Sequence, residues 1–585
     1  MCLVILWNLN KIMHKLEIID FFCGAGGFSE GFHQLGYKIV YGYDNWKPAI
    51  DTYNFNFNLN CKPKNILDFE NSDDEIEQLP DTDVIIGSPP CVSFSSSNQS
   101  GKADKSLGLR LTHSLLRIIA IKKFKPNSIL KAWFIENVTN TKKYLKENYS
   151  FRDLNLDNWA SKNGFNPNEI AIKIEGNLAI VNSASYGSPQ SRKRLVVGEI
   201  IKMGRFIIPP ITHSISSEKI CLPSSITLGE IKRKLPSPNS KFINSYIEDP
   251  LYEIKILNSE LTDHFYDSGL YQSKWIHSKY LKTDHPYMGK MSFPENDSKP
   301  SRTITATNIG TSREAIIYKS EYNRKGDGEF RIPTVREAAT IMSFPITFQF
   351  IGRESTKYRM VGNAVCPSVS RAIAKIVLEV YNYPIPRKIK INSYTNLQEV
   401  PNLNTFKEKI FNNPPVKKLN SRFRKHVYKT GNITVTLSNY DINKDENKSR
   451  KWLTSVQYGI GKGFPTQFYP DRYYEQLEKV IRNFEGGDWF IQKINNGFSE
   501  QISGAKLLQK LHDDQNNKGK FLKPFDLIES VKILIDKIEF KEKDYYQTYK
   551  RIIKAKEVVP KKQILALYAI NKITTIANSK DSYAS

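Results

Sequence analysis

A cysteine that follows two prolines is the residue in this sequence best suited to nucleophilic chemistry. Cys91 ends the segment Gly87-Ser-Pro-Pro-Cys91, which comes directly after the apolar run DVII. Ligands of open α/β sheets bind beyond the carboxyl ends of the strands, so this position favours a site. The prolines stiffen the turn, and the serine-rich sequence after it indicates an exposed thiol. A thiolate there would be a nucleophile if a local positive field stabilised it, whereas a buried cysteine would be inert.

A glycine-rich segment near the start of the chain is typical of a turn that holds a ligand. Gly24, Gly26 and Gly27 lie between the apolar run IIDFF and a sequence of helical character. Glycines at such a place let the backbone approach a ligand closely at the N-terminus of a helix, although a plain tight turn is the alternative. No lysine of the triphosphate-binding type follows them, which argues against a nucleoside triphosphate.

Two acidic residues that follow the next segments are candidates for binding a nucleoside. Asp44 ends the strand-like run KIVYGYD, about 20 positions after the glycines, where acidic residues commonly bind ribose hydroxyls. Asp68, in the sequence NILDF, is placed to reach the adenine end of the same nucleoside. For Asp68 alone, capping the N-terminus of a helix is the commoner role.

The elements that must position these residues alternate between strand and helix from Leu16 to about Gly198. Five apolar runs are interpreted as buried strands: IIDFF, KIVYGYD, DVIIGSPP, AWFIEN and LVVGEI. Each is followed by a loop or an amphipathic segment, and this alternation predicts an α/β domain with a parallel sheet. The alternation is lost between about Ile201 and Phe330, where Pro, Ser, Lys and Asn dominate. We expect a smaller, irregular domain there.

Regular structure returns in the rest of the chain. VREAATIMSF predicts a helix, and another is expected from Val365 to Tyr381. We therefore predict a catalytic domain in two parts (14–200 and 331–383), a small domain between them (201–330), a linker (384–420) and a basic α+β domain (421–585). The last domain begins with the strand-like runs VYKTGNITVTLSNY and WLTSVQYGIG and ends in helices around Leu527–Phe540 and Lys561–Ile576.

The charge of the chain indicates an anionic partner. The sequence has 585 residues, too many for one hydrophobic core, and a formal net charge of +25. Nucleic acid is the usual partner of such an excess, and an anionic membrane surface is the alternative. No apolar run reaches the roughly 18 residues that a membrane helix needs, which favours nucleic acid. Residues 381–585 carry about +16 of the charge and are therefore disproportionately basic.

Cysteine use and the N-terminal sequence favour a bacterial cytoplasmic protein without a metal. The six cysteines form no CxxC pair, so neither a zinc site nor a disulfide framework is indicated. A reducing cytoplasm would keep a reactive thiol free. The first residues, MCLVILWNLNKIM, lack the basic leader and the small-residue cleavage site of a signal peptide. We interpret them as a leader, with Met13 as an alternative start.

Six short blocks give the sequence a close resemblance to the cytosine-C5 DNA methyltransferases. They occur in the family's order, DFFCGAGGFSEGF, PPC, ENV, QSRKR, REAATIMSFP and GNAVCPSV, and span about Leu16 to Ala374. The resemblance implies a Rossmann-like α/β fold, S-adenosyl-L-methionine as cofactor, and methyl transfer to carbon 5 of cytosine in double-stranded DNA. Two departures are Val92, where the family usually has Gln, and Asp44, where it often has Glu.

The resemblance also implies a role for the residues of each block. Cys91 would add to carbon 6 of an extruded cytosine, and Glu136, in ENV, would contact N3 as an acid. Arg192 would hold the base through O2, and Arg194 would support the same site or a phosphate, with a solvated basic strand edge as the alternative. An ordered water would remove the proton from carbon 5. The cofactor site would comprise Phe22, Gly24, Gly26, Asp44, Asp68, Pro89, Asn363 and Val365.

Residues 201–330 stand where the family has its target recognition domain. Gln190, Arg302 and Thr305 are the candidate DNA contacts, the last two in the family-like piece KPSRTITA. Arg331, Arg336 and Glu337 lie in the block that braces this domain, where we expect Arg336 and Glu337 to form structural ion pairs. The lysines of the basic tail either contact phosphates or are simply solvated. Glu539 and Lys541 have the spacing of a nuclease carboxylate-lysine pair, which is common by chance.

Three functions remain open at this point. The first is a monomeric modification enzyme that protects DNA from a partner endonuclease of a restriction-modification system. The second is the same chemistry on tRNA, and the third is a non-catalytic DNA-binding regulator. The large recognition region and the basic tail favour DNA, while Cys91, Glu136 and Arg192 argue against a regulator.

Overall fold

The computed structural model of the chain divides into two compact units, Met1–Pro414 and Pro415–Ser585. The residues that the structure describes are 15–90, 105–215, 221–238, 246–269, 272–284, 290–307, 309–310, 312–321, 330–392, 408–409, 425–430, 433–439, 451–458, 466–513, 519–540, 545–547, 552–554 and 557–582.

A six-stranded sheet forms the centre of the first unit. The strands of this unit are β1 (Glu17–Phe21), β2 (Lys38–Tyr43), β3 (Val84–Gly87), β4 (Ala132–Asn137), β5 (Asn148–Ser150), β6 (Ile170–Lys173), β7 (Leu178–Asn182), β8 (Lys193–Ile200), β9 (Tyr246–Glu248), β10 (Lys255–Leu257), β11 (Tyr318–Lys319) and β12 (Phe330–Arg331). The order in the large sheet is β2-β1-β3-β4-β8-β7, and the other strands form three pairs, β5-β6, β9-β10 and β11-β12. Strands β1 to β4 are parallel, so their carboxyl ends meet at one edge.

The prediction of a parallel sheet is correct for four of the five predicted strands and wrong for the fifth. Strand β8, which contains LVVGEI, pairs antiparallel with β4, and the unpredicted β7 pairs antiparallel with β8. The connection between β7 and β8 contains only a short 3-10 turn, Ser183–Tyr186. It is too short for the helical crossover that parallel neighbours require, so the two strands must run in opposite directions.

Helices cover both faces of this sheet. The helices of this unit are α1 (Gly27–Gln34), α2 (Lys47–Phe57), α3 (Asp73–Gln78), α4 (Lys105–Phe124), α5 (Asp157–Lys162), α6 (Leu228–Lys234), α7 (Gln272–Thr283), α8 (Val335–Ile341), α9 (Glu354–Asn363) and α10 (Pro367–Val380). Ile18 belongs to the core cluster that includes α1 and α10, and Ile19 to the cluster that includes α4. Successive side chains of β1 therefore enter different cores, which explains the nearly continuous apolar runs of the central strands.

Local sequence signals account for the two helices predicted after residue 330. Helix α8 begins with a capping box, in which the Thr334 hydroxyl accepts from the Glu337 amide and the Glu337 carboxylate accepts from the Thr334 amide. Helix α10 begins with Pro367 at its first position, where a missing N–H costs nothing. The twelve-residue α7 was not predicted, because its polar sequence has weak helical periodicity.

The second unit contains an antiparallel sheet packed on helices. Its sheet has the order β13 (Lys425–Thr430), β14 (Ile433–Ser438), β15 (Leu453–Tyr458) and β16 (Thr466–Tyr469), and a further pair is β17 (Tyr545–Gln547) with β18 (Val558–Pro560). The helices are α11 (Tyr474–Ile481), α12 (Gly487–Lys493), α13 (Ala505–Asp513), α14 (Pro524–Asp536) and α15 (Lys561–Ser582). Residues Ile564 to Ile570 of α15 are all 0% exposed, so this helix is buried on every side.

No single helix among the described residues is long and apolar enough to cross a membrane, and α9 and α10 meet the criterion only together, as a pair bent by 41°.

Candidate active site

A hydrogen bond joins the ends of two neighbouring parallel strands, β3 and β4. The Ser88 hydroxyl, one residue beyond β3, donates to Oε2 of Glu136 at 2.9 Å. The register explains this contact, because Gly87 pairs with Ile135 and the next residues along each strand come side by side. Glu136 is only 5% exposed. Cys91, three residues after Ser88, and Val92 lie outside the described residues.

An arginine from the antiparallel strand holds the other oxygen of Glu136. The Nε atom of Arg194 on β8 lies 3.2 Å from Oε1. The carboxyl group is thus contacted by a hydroxyl on one oxygen and a cation on the other. Because this carboxyl group lies at the carboxyl ends of β3 and β4, it is at the edge of the sheet where the sequence predicted a functional site.

Arg192 has a different environment from Arg194. Its guanidinium donates to the carbonyl oxygens of Ile304 (3.0 Å), Gly362 (3.2 Å) and Ala364 (3.1 Å), and the residue is 4% exposed. Arg192 precedes β8, and its guanidinium connects the chain at Ile304 to the end of α9. Arg194, on β8, instead contacts Glu136.

The glycine-rich turn before α1 is tightly enclosed on one side. Phe22, Gly24 and Gly26 all have positive φ values, of 56°, 53° and 100°. A Cβ at Gly27 would lie 2.3 Å from the carbonyl oxygen of Val365, so a side chain there would collide with this segment. The block GNAVCPSV thus folds back onto the turn. A Cβ at Gly24 would instead meet no atom of the described residues within 4 Å, so that part of the chain leaves open space beside Gly24.

Two carboxyl groups flank this turn. Asp44 accepts from the amide of Gly24 (3.0 Å) and from that of Trp46 (2.8 Å), and burial raises its pKa above the ordinary value. Asp20 is fully buried, and burial raises its pKa well above the ordinary value. Its Oδ2 accepts from the Ser29 hydroxyl at 2.7 Å, but its buried Oδ1 has no hydrogen-bond partner among the residues that the structure describes. Asp20 was not among the predicted site residues.

Asp68 lies on the 3-10 turn Ile66–Asn71. It is exposed, and its carboxylate is 3.6 Å from Lys64 Nζ. The cap of this turn is Asn65, whose side chain accepts from the Leu67 amide. The Lys64 amide donates to the Asp44 carbonyl at 2.9 Å, so the chain at Lys64 and Asn65 passes beside Asp44. Asn65 is therefore a candidate for contacting a nucleoside beside Asp44. It was not predicted from the sequence, because the prediction of nucleoside contacts used acidic residues alone.

The other predicted cofactor residues differ in exposure. Pro89 is buried, and its carbonyl oxygen accepts from the Asn137 side chain at 3.1 Å. Val365 is buried, whereas Asn363 is exposed at the end of α9. In the described part of the chain, no group of three or more His, Cys, Asp or Glu side chains is arranged to hold a metal ion.

The predicted DNA contacts have partners within the protein. Gln190 is 0% exposed and accepts from the Ile304 amide at 2.8 Å. Arg302 donates to both carboxylate oxygens of Glu295 at 2.7 to 3.0 Å. The Thr305 hydroxyl donates to the Thr307 carbonyl at 3.3 Å. Gln190 and Arg302 therefore hydrogen-bond within the protein in this structure, to Ile304 and Glu295 respectively.

A buried ion-pair network links Arg331 to Glu321 and Glu337. Arg331 contacts Glu337 at 2.7 and 2.8 Å and Glu321 at 2.6 Å. Burial alone would raise the pKa of Glu337, but the charge of Arg331 lowers it to about 2. The expected ion pair is therefore present for Glu337. Arg336 instead donates to neutral oxygens of Thr262 and Phe348, so the expectation of an ion pair is wrong for that residue.

Comparison with known proteins identifies the family. A model of the C-5 cytosine-specific DNA methylase family matches residues 16–379, and the chain belongs to this family. The resemblance inferred from the six blocks is thereby confirmed, and the enzyme class is DNA (cytosine-5-)-methyltransferase.

The relatives are methyltransferases that are matched over nearly their whole length. Type II methyltransferase M.AplI of Arthrospira platensis is 27% identical over 399 residues, which cover 65% of this chain and 93% of the relative. Type II methyltransferase M.HindV of Haemophilus influenzae is 26% identical over 376 residues, covering 63% of this chain and 99% of the relative. Among solved structures, the chain is similar to the methyltransferase EhMeth of Entamoeba histolytica, with 17% identity, a TM-score of 0.39, and coverage of 63% of this chain and 99% of that chain.

Proposed function

We propose that this protein transfers the methyl group of S-adenosyl-L-methionine to carbon 5 of cytosine within a specific sequence of double-stranded DNA, through a transient bond between Cys91 and carbon 6. The observation that carries the proposal is the cluster of Ser88, Glu136 and Arg194 at the carboxyl ends of β3 and β4. It supports a site in which an oriented carboxyl group, paired with a cation, accepts a hydrogen bond from Ser88, three residues before the cysteine.

The turn before α1 has the chemistry to hold this cofactor. Asp44 is a carboxylate beside the turn, suited to ribose hydroxyls, and Gly24 borders open space. The unpartnered Oδ1 of Asp20 is an acceptor for a donor such as an ammonium group. When bound, the cofactor would supply an electrophilic methyl group. Phe22, Gly26, Pro89, Val365 and Asn363 would surround it.

Cys91 and Glu136 would activate the cytosine together. The thiolate of Cys91 adds to carbon 6, and the displaced electron pair makes carbon 5 a nucleophile for the methyl group. Glu136 hydrogen-bonds N3 and balances the charge that develops on the ring. After methyl transfer a water takes the proton from carbon 5, and the electrons of that C–H bond re-form the double bond and expel the thiolate.

The geometry favours Arg194 over Arg192 as the arginine next to the base. Arg194 already pairs with Glu136, whereas three carbonyl oxygens hold Arg192. We assign base holding to Arg194 and the joining of the small domain and α9 to Arg192. The target nucleotide must leave the stack to reach this site, at a cost of a few kcal/mol.

We further infer the biological setting from charge and from the relatives. The relatives are named Type II methyltransferases, which supports a modification enzyme of a restriction-modification system that works as a monomer alongside an endonuclease for the same site. The basic second unit would add phosphate contacts that do not depend on sequence. Lys541, of the nuclease-like pair with Glu539, lies outside the described residues.

The proposal is tested by offering both nucleic acids to the full chain with an isotopically labelled methyl donor. We expect labelled 5-methylcytosine in digests of duplex DNA and none in tRNA. A Cys91→Ser protein that still binds DNA should give no product, and a Glu136→Gln protein that still binds DNA should give product only slowly. Methylation of tRNA alone would overturn the proposal in favour of the RNA enzyme. DNA binding by wild-type protein without any methylation would overturn it in favour of a regulator.

A further inference from the structure

Ser88 is fixed at both its backbone and its side chain. Its amide donates to the carbonyl oxygen of Phe21 at 3.1 Å, which holds the turn after β3 against the end of β1. Its hydroxyl donates to Oε2 of Glu136 at 2.9 Å. The residue is half-buried, between the buried Gly87 and the buried Pro89. A short segment that leads directly to Cys91 thus carries a hydrogen-bond donor aimed at Glu136.

The carboxyl group of Glu136 needs two partners to have one orientation. The terminal torsion of a glutamate side chain is broad and roughly two-fold, so a single contact at one oxygen leaves the other free to move. Arg194 contacts Oε1 and Ser88 contacts Oε2, which together define the plane of the carboxyl group. Arg194 comes from β8, whereas Ser88 comes from the segment that bears the cysteine.

We propose that Ser88 is a positioning residue that orients the Glu136 carboxyl group and couples it to the segment bearing Cys91. The inference rests on the proposed function, because it assumes that Glu136 contacts the base and Cys91 attacks it. Ser88 acts through Glu136, so its hydroxyl matters for the chemical step more than for binding. Misplacement of a reacting group by about 1 Å can lower a rate by about 100-fold.

The expected effect of Ser88→Ala is therefore a fall in kcat of about 10- to 100-fold, with KM for DNA and for the cofactor changed by less than about threefold. Ser88→Thr keeps the hydroxyl and should restore most of kcat. The double variant Ser88→Ala with Glu136→Gln should be about as slow as Glu136→Gln alone, because the serine acts through that carboxyl group. The matched control is Ser161→Ala, an exposed serine on α5 whose hydroxyl donates to the Asp157 carbonyl.

The measurements are kcat and KM on duplex DNA, the thermal unfolding midpoint, and the rate of covalent capture on a duplex containing 5-fluorocytosine. Lower kcat and slower capture at an unchanged unfolding midpoint would support the inference. Three results would overturn it: an unchanged kcat for Ser88→Ala, a Ser88→Thr protein as slow as Ser88→Ala, or effects of Ser88→Ala and Glu136→Gln that multiply. Absence of 5-methylcytosine with wild-type protein would overturn the proposed function and this inference with it.

Discussion

Arg194 and Glu136 form an ion pair of 3.2 Å across the antiparallel strands β8 and β4, and the side chain of Glu136 is 6% exposed whereas that of Arg194 is 18% exposed. The arginine therefore remains partly accessible to solvent, whereas the carboxyl group that it contacts is almost completely buried. Arg192, only two residues earlier, is enclosed by main-chain carbonyls. The two arginines of one motif thus contact different groups, and replacing each of them should change a different measurable property of the protein.

Replacing each arginine should affect a different property. Arg194→Ala should lower methyl transfer by about 100-fold or more, because a charge stabiliser at the reacting base is lost, while the unfolding midpoint changes little. Arg194→Lys should recover only part of the rate, since an ammonium group lacks the planar donors of a guanidinium. Arg192→Ala should destabilise the protein by about 3 kcal/mol, because buried carbonyl groups lose their donor. Rates of methylation and thermal unfolding distinguish the two, and the reverse pattern would contradict the assignment.

A buried ion pair between Lys357 of α9 and Asp263 should be essential for stability. Both side chains are 0% exposed and the Nζ–Oδ1 distance is 2.6 Å. Burial lowers the pKa of Lys357 and raises that of Asp263, and each group opposes this effect on the other, with Arg336 also favouring the charged form of Asp263. Lys357→Met should destabilise the protein by about 3 to 5 kcal/mol. Urea unfolding should show that Lys357→Met with Asp263→Leu regains much of this loss, and an undiminished loss in the double variant would contradict the coupling.

Asp267 should make stability fall as the pH rises towards neutrality. Burial, and then the charge of Glu354, raise its pKa to about 6, above the value of about 3.9 in an unfolded chain. Between these two values the folded protein holds a proton that the unfolded chain has lost. The stabilisation present below about pH 4 is therefore lost as the pH rises through about 6, by up to about 3 kcal/mol.

Asp267→Asn removes this titration and gives the corresponding test. Urea unfolding of the full chain at pH values from about 4.5 to 7 should show a decline for wild-type protein that is shallower in the variant. Other titrating groups, such as Asp249 with its pKa of about 6, are present in both proteins. Their contributions to the pH dependence of stability therefore cancel when the two profiles are compared. Parallel pH profiles for the two proteins would show that Asp267 does not carry the effect.

Exposed lysines of the second unit should set part of the salt dependence of DNA binding. Lys493, Lys510 and Lys537 are all exposed. If each contacts a phosphate, changing all three to Gln should make the slope of log K against log salt concentration shallower by about 2 to 3. The triple change to Arg keeps the charge and should keep the slope. A Gln variant with the wild-type slope would show that these side chains are simply solvated.

Much of the fold could be predicted from the sequence because its signals are local. Buried strands between helices give apolar runs such as AWFIEN, and capping residues such as Thr334 and Pro367 mark where helices begin. The direction of β8 could not be predicted, because an apolar run is the same in either direction. Only the short connection from β7 fixes it. The strand β7 alternates between buried and more exposed positions, but its sequence LAIVN is apolar at four of five positions and so does not show that alternation.

The candidate site shows the same limit at the level of side chains. The motifs identified Glu136 and both arginines, but spacing along the chain could not say which arginine meets the carboxyl group. That depends on where Ile304 and Ala364 return in space, far along the chain. The contact between Ser88 and Glu136 likewise follows from the pairing of β3 with β4 rather than from either motif. The burial of Gln190 and the ion pair of Arg302 could likewise not be predicted from the motifs, because both depend on how residues 201–330 fold.

Covalent trapping tests the central claim most directly. A duplex in which 5-fluorocytosine replaces cytosine blocks the loss of the group at carbon 5, so the bond between enzyme and base should persist after methyl transfer. Incubated with the cofactor, the full chain should form a complex that survives denaturation, and mass spectrometry of its peptides should place the modified base on Cys91. A wild-type protein that methylates ordinary DNA but yields no adduct, or one attached at another residue, would contradict the account.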